Sequence, residues 1–311
     1  MRLRIGGWRA SAWGLLLGLL SSGSACSVSH SVLITKESDA RTAIERILAA
    51  QYAAIERGDL SAWAGAFSAD VFLWGSDSDE VMSGREAMLA KMNQGAASRM
   101  AADVKRQYRS TRLQIGIAPS GLGAWIADEI EYTLTSATTT KQVRLRMTAV
   151  AAYAQDRWQI GAAHFSVPVE DALAFASSWP IPIDLPTQNP PAPNEFANLI
   201  PTTLQDHFPV PFSDRKDVLL IGTSPQEWIA GGSQVQEFTH QGKPGQIEVT
   251  RRGNLVTGTI PTADLAWAAW NGTLTVPHDH RRVTLPVRVL SVFLREHSRW
   301  QKVQEHVSLA Q

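Results

Sequence analysis

Histidine and serine occur two residues apart at His164 and Ser166, and the same spacing recurs at His306 and Ser308. Residues two apart on a strand lie on the same face of the sheet, so His164 could act as a general base while Ser166 orients it or binds a substrate. Neither serine lies in a Gly-x-Ser-x-Gly elbow, which argues against a nucleophilic triad. A structural role in closing the sheet explains both pairs more simply, because the pair also recurs in the copy with degraded helices.

Carboxylates form a second set of candidates for acid/base chemistry. Glu80 lies in a glycine-bounded loop, where it could be a catalytic acid or could fix the loop by accepting backbone hydrogen bonds. Asp128, Glu129 and Glu131 alternate along a predicted strand, so only one parity can face an interior cavity. A carboxylate turned inward near Arg146 would have a shifted pKa and could transfer protons.

An internal repeat distinguishes shared residues from those found in one copy. The matched segments are 72–84 with 219–231 and 124–166 with 266–308. Residues shared by both copies, including the His-x-Ser pairs, are expected to be architectural. Asp77 and the acidic cluster that begins at Asp128 occur only in copy one, which is therefore the better place to seek a site.

The order of elements in each copy predicts an α+β fold, because helices come first and strands follow. In copy one, helical spacing predicts a first helix that Asp39 caps and Gly58 ends, a second from Asp59 through Trp63 and Phe67, and a third from Arg85 to Ala97. Strand patterns then cover residues 109–119, 124–135, 143–155 and 157–168, as in an antiparallel meander.

Copy one resembles the SnoaL-like branch of the nuclear transport factor 2-like superfamily over about residues 39–169. The resemblance rests on Gly58-Asp59, Trp63 with Phe67, Gly75 with Glu80, Gly84-Arg85, and the closing segment from Trp158 to His164 and Ser166. It implies two tandem cone-shaped modules, each a curved antiparallel sheet over helices. The second has degraded helices, since Pro209 and Pro211 stand where a helix would begin. Family members commonly pair through their sheets, so the chain could fold as an internal pseudo-dimer.

The same resemblance implies an apolar cavity inside the cone. The residues expected to line it are Trp74, Asp77, Arg146 and Ser166, and the candidate acid/base residues are His164, Asp128 and Glu80. The leading hypothesis is a binding protein for a small hydrophobic molecule, with module two as its structural partner. Two alternatives remain open, an isomerase, dehydratase or cyclase that uses His164 and a carboxylate, and an interaction scaffold of the cell envelope. Fold alone does not choose among them.

The N-terminus has the features of an export signal. Arg2, Arg4 and Arg9 precede the short apolar run 12–20, and small residues lead to Cys26. This arrangement resembles a bacterial lipoprotein signal, although Gly23 stands where that pattern has an aliphatic residue. The alternative is ordinary secretory cleavage beside an incidental cysteine.

The predicted organisation of the chain is a signal peptide (1–25), a tether (26–38), module one (39–170), a proline-rich linker (171–198) and module two (199–311). The predicted location is the periplasm or cell envelope, with the protein lipid-anchored to the outer membrane.

Composition narrows the classes of partner and cofactor. The formal net charge is zero, so the chain has no basic field for nucleic acid. One cysteine precludes an intramolecular disulfide or a cysteine metal cluster. His278 and His280 have no evident third ligand and are predicted to form a polar turn. No metal or cofactor is expected; the expected partners are a small hydrophobic molecule, the membrane and a pseudo-dimer or homo-oligomer mate.

Overall fold

The computed structural model describes residues 37–94, 104–187, 203–204, 210–241 and 248–309. The predicted signal peptide, Cys26 and most of the tether lie outside the described residues, as does the end of the proline-rich stretch. None of the helices in these ranges is both long and apolar enough to cross a bilayer.

Module one, within the described ranges, consists of three helices and six strands. They are α1 (Glu37–Glu56), α2 (Leu60–Ala64), β1 (Phe67–Trp74), β2 (Val81–Ser83), α3 (Arg85–Gln94), β3 (Lys105–Ile117), β4 (Gly123–Thr135), β5 (Thr140–Ala154) and β6 (Arg157–Ser166). The strands form one sheet in the order β2-β1-β6-β5-β4-β3. The four strands predicted from the sequence are confirmed as β3 to β6.

Module two repeats this topology. After the short helix α4 (Asp171–Ala176), its elements are β7 (Thr203–Leu204), β8 (Leu219–Ile221), β9 (Trp228–Ala230), α5 (Gly232–Gln241), β10 (Glu248–Thr259), β11 (Leu265–His278), β12 (Arg281–Glu296) and β13 (Arg299–Leu309). The sheet order is β7-β10-β11-β12-β13-β8-β9. Read from the other edge, this is the order of module one with β7 added, so the duplication and the α+β class are confirmed.

The sheets are mixed. The predicted antiparallel meander is confirmed for β3 to β6, and each sheet also contains one parallel pairing. β1 pairs with β6 in parallel, and β8 pairs with β13 in the same way. The predicted second helix is too long. Asp59 caps α2 by accepting a hydrogen bond from the Ala62 amide at 2.9 Å, but α2 ends at Ala64 and Phe67 begins β1. Residues 71–74 are all buried, so this strand lacks the alternation by which strands are recognised.

Alternate residues of each strand point to opposite sides of the sheet, and both of these faces are buried. The concave face of module one packs under the helices, with Ile44 and Leu48 of α1 against Ile126 and Met147 of the sheet. The opposite face packs against the equivalent face of module two. This interface contains Phe72, Trp74, Trp125, Val150, Val256, Trp267, Leu290 and Val292.

The linker contains a helix that the sequence did not predict. Residues 171–176, at the start of the predicted linker, form α4, and the proline-rich part begins at Pro180. Ala174 and the partly buried Trp179 pack on the concave face of module two beside Trp270. The apolar face of a sheet must pack against another element. Part of the linker packs on this face of module two.

Candidate functional site

A pocket of about 660 Å³ lies on the concave side of module one. Helices α1 to α3, strands β1 to β6 and the loop after β1 provide its walls. Its apolar lining consists of Ile55, Leu60, Trp63, Leu73, Met82, Met92, Val104, Ile130, Leu134, Val143, Leu145, Met147, Phe165 and Val167. Apolar walls of this extent suit a small hydrophobic molecule.

Three of the chain's four tyrosines line this pocket as a stacked series. The ring centroids of Tyr52 and Tyr108 lie 6.0 Å apart, and those of Tyr108 and Tyr132 lie 4.5 Å apart. Tyr108 and Tyr132 meet because they are register partners on β3 and β4. Tyr52 reaches them from α1, so the series joins the helix to the sheet.

Asp128 lies behind Tyr52 and is fully buried. The Tyr52 hydroxyl donates a hydrogen bond to one carboxylate oxygen at 2.7 Å, and the Ser110 hydroxyl donates to the other at 2.6 Å. Burial raises the pKa of Asp128 to about 6, although both hydrogen bonds act to lower it. Burial and the nearby Asp128 raise the pKa of Tyr52 well above its ordinary value. A carboxyl group with this pKa can exchange protons near neutral pH.

Gln51 brings an unsatisfied amide to the same pocket. Its side chain is 3% exposed, and the Nε2 atom has no hydrogen-bond partner among the described residues. Ile44, Leu48 and Ile55 share its helical spacing, so Gln51 occupies a position on the inward face of α1. A buried amide donor without an acceptor is costly, and an acceptor in the pocket would satisfy it.

Glu80 and Asp77 belong to the loop that forms one edge of the pocket. The Glu80 carboxylate accepts a hydrogen bond from the Asp77 amide at 3.3 Å. A Cβ atom at Gly75 would lie 2.0 Å from the Glu80 carboxylate, so glycine leaves room for it. The same arrangement occurs in module two, where Glu227 accepts a hydrogen bond from the Ser224 amide at 2.9 Å. Glu80 therefore sets the shape of this loop.

The two His-x-Ser pairs bond to each other across the interface. His164 Nε2 lies 2.8 Å from Ser308 Oγ, and His306 Nε2 lies 2.8 Å from Ser166 Oγ. The two imidazole rings stack with centroids 4.0 Å apart. This exchange of equivalent contacts is the signature of an isologous, dimer-like interface, here made within one chain.

One difference between the modules makes this histidine pair unequal. Thr148 Oγ1 lies 3.0 Å from His306 Nδ1, so both nitrogens of His306 have partners. The equivalent position in module two is Leu290, and His164 Nδ1 has no partner among the described residues. Burial lowers the pKa of both imidazoles well below the ordinary value. His306 and Arg288 lower the pKa of His164 further, and Arg146 and Arg288 lower the pKa of His306 further.

Two arginines form hydrogen bonds to a loop of the opposite module. Arg288 donates hydrogen bonds to the carbonyl oxygens of Asp77 and Ser76 at 3.0 and 3.1 Å. Arg146 donates to the carbonyl oxygens of Gly222, Ser224 and Pro225. Module two thus holds the loop that edges the pocket of module one.

Strand parity separates the predicted site residues into two groups. Asp77 and Glu80 line the pocket, and Asp128 supports it through Tyr52. Trp74, Arg146, His164 and Ser166 are buried at the module interface and are not among the pocket-lining residues. Their expected place in the cavity is corrected because their side chains point to the opposite face of the same sheet.

A family model for the SnoaL-like domain matches residues 44–170 and again residues 195–311. These two segments make up more than half of the chain. The chain belongs to the SnoaL-like family. Each match falls in one of the two modules, so the SnoaL-like domain is present twice. No curated protein matches the chain.

The solved structures that match this SnoaL-like chain share little sequence with it. A Catenulispora acidiphila protein in complex with S-DNPA is 16% identical, with 41% of this chain and 92% of that chain covered and a TM-score of 0.37. An NTF2-like protein of unknown function from Pseudomonas putida is 14% identical, with 43% and 90% covered and a TM-score of 0.38. ActVI-ORFA from Streptomyces coelicolor is 13% identical, with 43% and 98% covered and a TM-score of 0.37.

Gln51 and the three pocket tyrosines of this SnoaL-like module were not predicted from the sequence. A glutamine among apolar residues at helical spacing was a usable signal for Gln51. Tyr132 shares its strand parity with Asp128, which was also visible in the sequence. The sequence held no signal for the neighbourhood of Tyr52, because only folding brings α1 against β3 and β4.

Metal binding has no support in the part of the chain that the structure describes. No group of three or more histidine, cysteine or acidic side chains there could hold a metal ion. His278 ends β11, and Asp279 and His280 adopt positive φ angles in the turn to β12. The predicted polar turn is therefore confirmed.

The buried histidine pair predicts a loss of stability in acid. The folded-state pKa values of His164 and His306 lie below that of an unfolded histidine, about 6.5. Below that pH the unfolded chain binds protons that the folded chain does not, so the free energy of unfolding falls as the pH drops. We expect urea unfolding to show lower stability at pH 5.0 than at pH 7.5, with a smaller decrease in His164→Gln.

Asp128 changes the free energy of unfolding in the opposite direction. Burial raises its pKa to about 6, so the folded state gains stability as the pH falls from about 6 toward 3.8. Wild type and His164→Gln share this contribution of Asp128, so it cancels when their decreases in stability are compared. His240→Gln, an exposed substitution on α5, should keep the wild-type decrease. Equal decreases in wild type and His164→Gln would contradict the neutral buried pair.

Proposed function

We propose that module one binds a small hydrophobic molecule in the pocket under α1. The observation that carries this proposal is the lining, which is apolar over most of its extent. Its polar and charged members are Gln51, Tyr52, Ser76, Asp77, Glu80, Arg106, Tyr108, Tyr132 and Lys141. The volume of about 660 Å³ falls in the usual range for small-molecule sites, roughly 300 to 1,000 Å³. The stacked tyrosines provide flat faces against which a ligand can pack.

Module two supports this site and is proposed to be its structural partner. Trp270 stands at the position of Asp128 and is buried in the core of module two. Arg288 fixes the loop at Ser76 and Asp77. The sheet faces that an interaction scaffold would offer are instead used by the modules for each other, which favours ligand binding over that alternative.

Filling the pocket should abolish binding. Leu145 lines the pocket, so Leu145→Trp should place an indole in the space that a ligand would occupy. We expect the affinity for 2-ethylnaphthalene, measured by equilibrium dialysis, to fall at least tenfold. Leu113→Trp is the matched control, because Leu113 is 38% exposed and lies outside the pocket.

Circular dichroism of both variants checks that the fold is intact. Wild-type protein that binds no 2-ethylnaphthalene would contradict the proposed function. Equal affinity in wild type and Leu145→Trp would show that the probe binds elsewhere and would contradict this location.

A second candidate function is acid/base catalysis of the isomerase or dehydratase class. The observation that favours it is Asp128, whose pKa of about 6 and contact with Tyr52 suit proton transfer at the pocket wall. His164, the base expected from the sequence, lies at the module interface and has no part in this proposal.

This activity is tested by exchange of the α-protons of 1-tetralone in heavy water, followed by nuclear magnetic resonance. We expect the protein to accelerate the exchange, and Asp128→Asn to remove roughly 10² to 10⁴ of that acceleration, the range typical of general acid/base groups. Glu131→Gln is the control, since Glu131 pairs with Arg109 instead. Exchange at the rate of buffer alone would argue against this candidate.

We also propose that the chain is exported and anchored through a lipid on Cys26. The support is the sequence arrangement alone, with three arginines, a short apolar run and small residues before the cysteine. A lipid-anchored protein would lie in the cell envelope facing the periplasm.

Replacing the cysteine tests the anchor. Cys26→Ser should move the protein from the membrane fraction to the soluble periplasmic fraction, because the modified sulfur is lost. Ser27→Ala, beside it, should leave the protein in the membrane fraction. Membrane retention of Cys26→Ser would refute lipidation at this residue.

A further inference from the structure

The pocket of module one carries positive charge at one end. Arg106 on β3 and Lys141 on β5 are its basic members among the described lining residues. Leu134, which also lines the pocket, lies between them on β4 as the register partner of both. Residues directly opposite each other on neighbouring strands share one face of the sheet. The two cations therefore stand on the pocket face, one on each side of Leu134.

The strand spacing allows both cations to reach one anion. Neighbouring strands lie about 4.8 Å apart, so roughly 10 Å separate the backbones of β3 and β5 here. Lysine and arginine have long stems, and their charged heads can meet above Leu134. Arg106 Nη1 donates a hydrogen bond to the carbonyl oxygen of Val104, another lining residue, at 3.0 Å. This bond holds the guanidinium at the rim of the pocket.

The basic end of the pocket is also its more exposed end. Lys141 is exposed and Arg106 is half-buried. Further along the same sheet, the lining residues Leu73, Ile130 and Met147 are almost fully buried. A ligand can thus place its apolar part among the buried residues and a charged group at the rim. The charge then stays partly hydrated, which avoids the cost of burying it without partners.

The acidic lining residues Asp77 and Glu80 lie toward the other edge of the sheet. Their loop follows β1, which is separated from β3 by β6, β5 and β4. The Glu80 carboxylate accepts the Asp77 amide. Burial lowers the pKa of Arg288 to about 10, and Glu80 and Asp77 oppose this shift, so their negative charge acts on a buried guanidinium. A ligand anion is repelled by this loop and attracted to the opposite end of the pocket.

Glu56 is the acidic residue nearest to the basic end in the described part of the chain. Glu56 and Arg106 both act on the pKa of Tyr108, which burial raises above its ordinary value. The Glu56 carboxylate accepts the backbone amide of Tyr108 at 2.6 Å. Glu56 is not among the lining residues, so it leaves the pocket face of β3 to β5 basic.

The comparison of the two modules supports a specific role for this charge. Lys141 pairs with Leu134 in module one, and at the same place in module two Val283 pairs with Val276. An apolar residue therefore fits this position of the sheet, and the fold does not require a lysine there. The cation occurs in the module that has the pocket.

We infer that Arg106 and Lys141 form a recognition site for the carboxylate of a ligand whose remaining part is apolar and lies in the pocket of module one. A carboxylate has two acceptor oxygens, and the guanidinium fork and the ammonium group are charged donors that match them. The ligand class is a monocarboxylic acid with a hydrocarbon body. This inference rests on the proposed binding function and adds to it the charge of the ligand and its orientation.

Two matched probes test the inference on the purified protein. Octanoate is ionised at pH 7.5, and octanamide has the same chain and nearly the same size without the charge. Equilibrium dialysis at low ionic strength gives the affinity ratio of octanoate to octanamide. Both probes should displace 2-ethylnaphthalene, which places them in the same pocket.

Replacing the cations assigns the effect to its residues. We expect the affinity ratio to be roughly five- to thirtyfold higher in wild type than in the double variant Arg106→Gln/Lys141→Gln, as one or two exposed ion pairs would give. Each single variant should fall between them. The wild-type ratio should also decrease in about 0.5 M sodium chloride, because salt screens exposed charges.

Lys105→Gln is the matched control, because it removes one positive charge from the same end of β3. Lys105 is exposed and is not a lining residue, so this variant should keep a ratio close to that of wild type. Circular dichroism checks that all variants are folded. The affinity for 2-ethylnaphthalene, which has no charge, should be the same in all of them.

Three results would overturn the inference. If 2-ethylnaphthalene binds but the octanoate ratio is the same in wild type and the double variant, the carboxylate site is wrong while the pocket stands. If Lys105→Gln lowers the ratio as much as Arg106→Gln and Lys141→Gln do, general surface charge explains it. If neither 2-ethylnaphthalene nor either octanoyl probe binds to wild type, the proposed function fails and this inference fails with it.

Discussion

The shared face of the two sheets is the constraint on which the rest of the chain depends. It buries two histidines, two serines and two arginines with no solvent to satisfy them, so each must find its partner in the opposite module. His164 bonds to Ser308 and His306 to Ser166, while the arginines bind the carbonyl oxygens of the opposite loop. Neither module could bury this face alone without leaving polar groups unpaired.

The two modules differ on their other faces. In module one the concave face retains a pocket with Asp128, Tyr52 and the stacked tyrosines around it. In module two Trp270 takes the place of Asp128, and α4 packs against the same core. The interface requires equivalent residues from both copies, whereas the concave faces have no such requirement. The pocket is therefore the main place where the functional side chains of the copies differ.

The loop from Gly75 to Glu80 connects these two parts of the molecule. Its side chains edge the pocket, and its carbonyl oxygens accept hydrogen bonds from Arg288 of module two. Gly75 leaves the space that the Glu80 carboxylate needs. The pocket wall is held by a buried guanidinium, so its shape depends on the interface remaining intact.

The sequence by itself determined the duplication, the α+β class, the strands β3 to β6 and the scaffold role of residues common to both copies, because these follow from local periodicity and self-comparison. It pointed to Asp128 as a copy-one residue. Only the tertiary structure decided which parity of each strand faces the pocket, so His164 and Arg146 were expected in the cavity and lie at the interface. Strand β1 was missed because burial on both faces erases its alternation. Tyr52 and Gln51 joined the site only when α1 packed on the sheet, a contact between distant segments that no local pattern records.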